Sequence, residues 1–124
     1  MTAARLCLLI AGLYGVLAVA FGAFGSHALR ARLPVKDLEI WHTAVQYQFY
    51  HLLALFGVAV LMMVRPAAGQ GLAAIFFAAG ILLFSGSLYV LVLSGVRVLG
   101  VVTPIGGLLL IAGWVALAVS AVRG

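Results

Sequence analysis

Four apolar runs, each long enough to cross a bilayer, alternate along this chain with short stretches that carry most of its charge. The first, residues 6–25, holds 20 residues without a charge, enough for one crossing of a hydrocarbon core about 30 Å thick. Ala18-Val19-Ala20 has the pattern of a signal-peptidase site, but the apolar run continues past it, so a retained span is expected. Ala11, Gly15, Ala18, Gly22 and Gly25 recur at steps of three and four, a small-residue stripe that lets a neighbouring backbone approach. Residues 26–40 form the sizeable polar segment, with His27, Arg30, Arg32, Lys36, Asp37 and Glu39. Pro34 forbids a continuous helix through it. A second helix is expected over residues 37–64, with Asp37 as its N-cap and Glu39 in its first turn. At 1.5 Å per residue it is about 42 Å long, so its first two turns stand in the headgroup layer and Trp41 falls near the interface.

Arg65 and Pro66, followed by Gly69 and Gly71, mark a short turn. The third apolar run spans residues 72–93, interrupted near its middle by Ser85-Gly86-Ser87, with Tyr89 just after. Residues 94–102 make a tight apolar connection bearing one charge, Arg97. Thr103-Pro104 is a start signal, a hydroxyl N-cap with proline at the first helical position. The fourth run covers residues 104–122 and is closed by Arg123. Gly15, Gly22, Gly86, Gly106, Gly107 and Gly113 are the expected helix-packing positions. The pattern predicts an all-α integral membrane protein: one domain over residues 1–124, with four transmembrane helices in two hairpins packed as a small bundle.

Composition agrees with the pattern. Hydrophobic residues make up 67% of the 124 positions and charged residues 7%, against about 25% charged in a soluble domain. Seven bases against Asp37 and Glu39 give a net charge of +5. They sit at the ends of apolar runs, the placement of membrane anchors rather than of a nucleic-acid surface. Four crossings put Arg5, Arg65 and Arg123 on one side and Arg30, Arg32, Lys36 and Arg97 on the other. Three bases against four leave the positive-inside rule almost no leverage, so the orientation is ambiguous. Cys7 is alone, which excludes an intrachain disulfide.

Several segments match a known family. FGAFGSHAL at 21–29, WHTAVQYQFYHLLAL at 41–55, GILLFSGSLY at 80–89 and TPIGGL at 103–108 resemble the YgdD/YwdK-like inner-membrane proteins. That family is catalogued as domain of unknown function 423 and is similar to eukaryotic transmembrane protein 256. Ser26 stands where the family more often has alanine, a small-for-small change. The resemblance implies a four-helix, multi-pass protein of the bacterial inner membrane. It implies no reaction, substrate or ligand, since the family has none assigned.

Chemistry concentrates on the second helix. Thr43, Gln46 and Tyr50 lie along one face, and Tyr47 and His51 along an adjacent one. Polar groups in lipid are costly unless partnered, so these are expected to face the interior and meet Ser85, Ser87 and Tyr89 of the third helix. One reading is interhelical glue, each bond contributing about 0.6–2 kcal/mol. The other is a polar cavity for a small solute, a lipid headgroup or a proton, lined by Gln46, Tyr47, His51, Ser85 and Ser87. His27, Trp41, His42 and Arg97 are expected at the interface.

Three histidines raise a third possibility, a haem or metal site. His42 and His51 are about 13.5 Å apart along one helix, too far to share a metal. Neither a second cysteine nor a buried carboxylate completes a ligand set. No cofactor or metal is therefore expected. No carboxylate lies within a span to relay protons or bind sodium. A serine nucleophile on Ser85 or Ser87 with His51 lacks an orienting acid. GAFG and IGGL have no strand before them and are not phosphate loops. The expected role is non-catalytic: a structural or accessory component contacting membrane lipid, either a homo-oligomer or a subunit of a larger membrane complex.

Overall fold

The computed structural model describes residues 1–123 and contains four membrane-length helices: α1 (Ala3–Leu29), α2 (Val35–Val64), α3 (Gln70–Ser94) and α4 (Val102–Arg123). The chain is an all-α membrane protein whose helices run up and down, so that Ala3 and Arg123 lie at the same end of the bundle as the α2–α3 turn. The helices pack in chain order. α1 lies on α2, α2 on α3 and α3 on α4, while α1 and α4 share no substantial interface. α3 also touches α1, so it is the central rod.

Helix boundaries differ from the sequence expectation for local reasons. α1 does not stop at Gly25: its α-helical part, Ala3–Val19, widens into a π-helical turn over Ala20–Gly25 and closes with one α-turn, Ser26–Leu29. Here the Ser26 N–H bonds back to the Phe21 carbonyl, five residues away. Such a turn re-aims carbonyls sideways, and that of Phe21 also accepts the Trp41 indole N–H at 2.9 Å. Pro34 ends the loop and caps α2, with ψ 155°. Asp37 is therefore not the N-cap but lies in the first turn, where it pairs with Arg97 at 3.4 Å. That ion pair is exposed on the arginine side and contributes little. α3 runs unbroken through Ser85-Gly86-Ser87, because both hydroxyls bond to main-chain carbonyls instead of displacing them. Thr103 is not an N-cap either. Arg97–Val101 forms a 3₁₀ turn leading into α4 at Val102, which leaves the Thr103 hydroxyl free to meet Ser87 at 2.7 Å.

Two apolar clusters fill the interior. The larger runs through Leu52, Leu55, Val58, Phe77, Ile81 and Leu110 and takes in Ala11 and Ala18 of α1. The smaller surrounds Trp41 and Tyr89 at the loop end. Trp41 does not face the interface as expected; only 3% of it is exposed, because its ring packs with Phe21 and Tyr89 at 5.6 and 4.7 Å. Between α3 and α4 the approach is set by glycine. A methyl group on Gly106 would strike the Phe84 and Leu83 backbone, one on Gly113 would come within 2.7 Å of the Phe77 ring, and one on Gly80 within 2.6 Å of Leu110. On α1, Gly22 faces Val45 and Gly25 faces Trp41 at 3.1 and 3.0 Å. Gly107 makes only ordinary contact with the Phe84 ring. Gly15 and Gly86 are not close-approach points: nothing lies within 4 Å of Gly15, and Gly86 meets only Leu82 of its own helix, because both point away from the seams.

Gly106→Ala is accordingly expected to lower stability by about 1–3 kcal/mol, the usual cost of overpacking. Gly86→Ala, with open space before it, leaves the apparent melting temperature in detergent unchanged.

Candidate functional site

A helix turns about 100° per residue, so α2 presents two chemically distinct faces along the same polar stretch. Trp41, Ala44, Val45, Gln48, Leu52, Leu55 and Ala59 form the buried stripe, with His51 on its flank. Gln46 and Tyr50 are about 160° from Gln48 around the axis, and Thr43 about 140°. They point outward with Tyr47, and Tyr47 and Tyr50 are 39% and 54% exposed.

The expectation that Thr43, Gln46, Tyr47 and Tyr50 join a buried cluster is thus corrected. Thr43 bonds its own helix at Glu39, Tyr47 and Tyr50 rest on each other, and Tyr47 rests also on Phe84. The reason is depth. Counted up α2 from Arg65, Gln46 lies about 28 Å along the axis, nearly the full hydrocarbon thickness of about 30 Å. At that boundary an amide is wet, and a tyrosine places its ring in lipid and its hydroxyl among headgroups.

Inside, Gln48 is the residue that the sequence reading left out of the cluster. It is 3% exposed and joins three helices. Its oxygen accepts from the Tyr89 hydroxyl of α3 at 2.6 Å, and its nitrogen donates to the Tyr14 carbonyl of α1 at 2.8 Å. Tyr14 returns the connection by donating its hydroxyl to the Ala78 carbonyl of α3 at 2.7 Å. Its signal was available: Gln48 shares a helical stripe with Trp41 and with Ala44 and Ala59, small residues that mark a tight contact face. Ser85, 1% exposed, donates to the Ala44 carbonyl of α2 at 2.7 Å. Ser87 links α3 to α4 through Thr103.

His51 is the second junction. Its Nδ1 lies 2.8 Å from the Tyr47 carbonyl, and the Trp114 indole of α4 donates to Nε2 at 3.0 Å. Because Trp114 supplies an N–H, Nε2 is the acceptor and the ring proton resides on Nδ1. Phe77 and Tyr47 enclose the ring at 5.9 Å each. Trp114, the other partner missed in the sequence, is half-exposed and reaches past α3 to α2. His27 and His42 are exposed, as is the Arg97 side chain. Among the described residues no three His, Cys, Asp or Glu side chains gather into a metal-binding group. Nor is any buried side-chain nitrogen or oxygen among them left without a hydrogen-bond partner.

Residues 21–107 match the profile of the family described as "Protein of unknown function (DUF423)". The chain belongs to this family. It is 42% identical to the membrane protein YwdK of Bacillus subtilis, over 96% of this chain and 98% of that one. It is 40% identical to the inner membrane protein YgdD of Escherichia coli K12, over 96% of this chain and 91% of that one. A membrane protein of Staphylococcus haemolyticus is likewise 40% identical, over 94% of each chain. No solved structure matches the chain. With four apolar helices, this DUF423 protein is a multi-pass protein of the bacterial inner membrane. The stretch covered by the family profile contains Trp41, Gln48, His51, Ser85 and Tyr89, and leaves Tyr14 and Trp114 outside it.

The two faces of α2 separate in mutagenesis. Gln48→Leu strands the Tyr89 hydroxyl and the Tyr14 carbonyl and is expected to lower stability by about 1–3 kcal/mol. Gln46→Leu changes it by less than about 0.5 kcal/mol. Thermal unfolding of both variants in one detergent checks the contrast.

Proposed function

We propose that this DUF423 protein is a non-catalytic structural or accessory component of the inner membrane, and that its interior polar residues are interhelical fasteners. One observation carries the reading. Each buried side-chain polar atom among the described residues is already bonded within the chain, and most of these bonds join different helices. A site kept for a solute holds groups in reserve for it, and none is in reserve here. The five residues that would line a carrier also diverge. Gln46 and Tyr47 turn outward, Ser85 is committed to Ala44, Ser87 to Thr103 and Phe84, and His51 to Trp114 and Tyr47.

The same commitments support a role without catalysis. A serine nucleophile needs a base within hydrogen-bond reach, and the histidine ring here is held on both nitrogens by other partners. Self-association or membership of a larger membrane complex completes the proposal. Gly12 and Gly15 of α1 have no heavy atom within 4 Å of where a side chain would begin, leaving room on that helix for a second one.

His51→Leu is the test. In the fastening reading it lowers the apparent melting temperature in detergent and leaves proton and solute flux through proteoliposomes at the protein-free level, as in the parent. Unchanged stability together with loss of a measurable parental flux would establish the carrier instead. Purified parent protein is expected to be colourless, and a Soret band that disappears in His27→Ala or His42→Ala would replace both readings with a haem protein.

A further inference from the structure

The membrane end opposite the polar fasteners carries a feature that fastening does not use. At the α2–α3 turn Pro66 stops α2, and Gly69 turns the chain at φ 92°, a conformation that glycine adopts without strain. That turn lies against the last part of α4, so that a methyl group on Gly69 would come within 3.4 Å of Ser120. Between the turn, α2 and α4 a groove of about 410 Å³ is left. Its walls include Leu61 of α2 and Leu117 and Ala121 of α4, and its polar lining is Arg65, Gln70 and Ser120.

The three polar groups are not equivalent. Gln70 is buried and bonded at both ends of its amide, accepting from the Ala67 N–H and donating to the Arg65 carbonyl. Ser120 is 3% exposed and lines the groove. Arg65 is exposed, and its guanidinium is not part of an ion pair among the described residues. This end also bears Arg5 and Arg123 and no acidic side chain, because Asp37 and Glu39 both lie at the other end.

We propose that this groove binds one anionic phospholipid. Arg65 and the Ser120 hydroxyl hold the phosphate at headgroup level, and an acyl chain lies along Leu61, Leu117 and Ala121. The occupant follows from the polarity of the walls. A cation without an acidic neighbour at one end, with an aliphatic trough running from it into the bilayer, matches a molecule whose head is an acidic phosphate and whose tail is hydrocarbon. Inorganic phosphate would use the head end alone.

The test is native mass spectrometry of the purified full chain, titrated with dioleoyl-phosphatidylglycerol and with dioleoyl-phosphatidylcholine. The phosphatidylglycerol adduct is expected to form at lower lipid concentration. Arg65→Ala is expected to weaken it about five-fold, the effect of one basic residue at the membrane surface; Arg65→Lys keeps most of the affinity. Ala121→Trp fills the trough without changing charge and is expected to remove the adduct. Arg30→Ala, at the opposite end, leaves it unchanged, and a melting curve for each variant reports that it is folded. Equal binding of the two lipids, equal weakening by Arg30→Ala, or an adduct untouched by Ala121→Trp would each overturn the site. Displacement of the lipid by millimolar inorganic phosphate would reduce it to a phosphate site, and an Arg65-dependent dimer in place of the adduct would give the groove to a second copy.

Discussion

An amide buried between transmembrane helices has no water to bond, so each of its donors and acceptors must find protein. In this molecule that requirement falls on Gln48, and meeting it determines much of the arrangement around it. Its oxygen needs a donor, which brings Tyr89 of α3 to α2; its nitrogen needs an acceptor, which brings the Tyr14 carbonyl of α1. Tyr14 then has its own hydroxyl to satisfy and reaches Ala78 of α3. The bonds run from α3 to α2 to α1 and back to α3, so a shift of any one of these helices breaks more than one of them. Apolar packing alone specifies position in lipid weakly, because a helix exchanges lipid tails for side chains of similar character. The directional bonds supply the register that the aliphatic surfaces do not.

The remaining contacts divide by chemistry. The α3–α4 seam is steric: Gly80, Gly106 and Gly113 remove side chains so that the two backbones meet, and Ser87 with Thr103 adds one polar link near its end. The α1–α2 seam combines both methods. Gly22 and Gly25 admit Val45 and Trp41, and the π-helical turn offers the Phe21 carbonyl to the Trp41 indole. His51 and Trp114 connect α2 to α4 across the face of α3, through side chains alone.

What the sequence made legible follows the same division. Span number, helix order and the break at Pro34 could be read because hydropathy and proline act locally. The buried roles of His51, Ser85, Ser87 and Tyr89 were legible because a polar residue in an apolar run has few alternatives. Gln46, Tyr47 and Tyr50 are expected inside for that reason and lie outside, because the buried stripe of α2 runs through Trp41, Ala44, Gln48 and Leu52 and leaves them off it. Gln48 was overlooked although it lies on the stripe with Trp41, Ala44 and Ala59; the small residues, not the polar ones, indicate which side of α2 is buried. The π-helical turn has no local signature beyond glycine, and the caps expected at Asp37 and Thr103 are pre-empted by Pro34 and by the 3₁₀ turn that leads into α4 at Val102.

Because neighbours in space are neighbours along the chain, the molecule resembles a folded strip more than a closed ring. Each helix entering the membrane during synthesis meets a surface that the preceding one has already laid down, and little of the fold waits for a distant segment. Two joints are exceptions, since the Tyr14 hydroxyl stays unsatisfied until α3 arrives and the outer nitrogen of His51 until α4 does. Assembly therefore ends with polar latches closing over aliphatic contacts formed earlier, so that a truncated or stalled chain would display bare hydrogen-bonding groups inside the bilayer, the kind of defect by which a quality-control protease recognises an unfinished membrane protein.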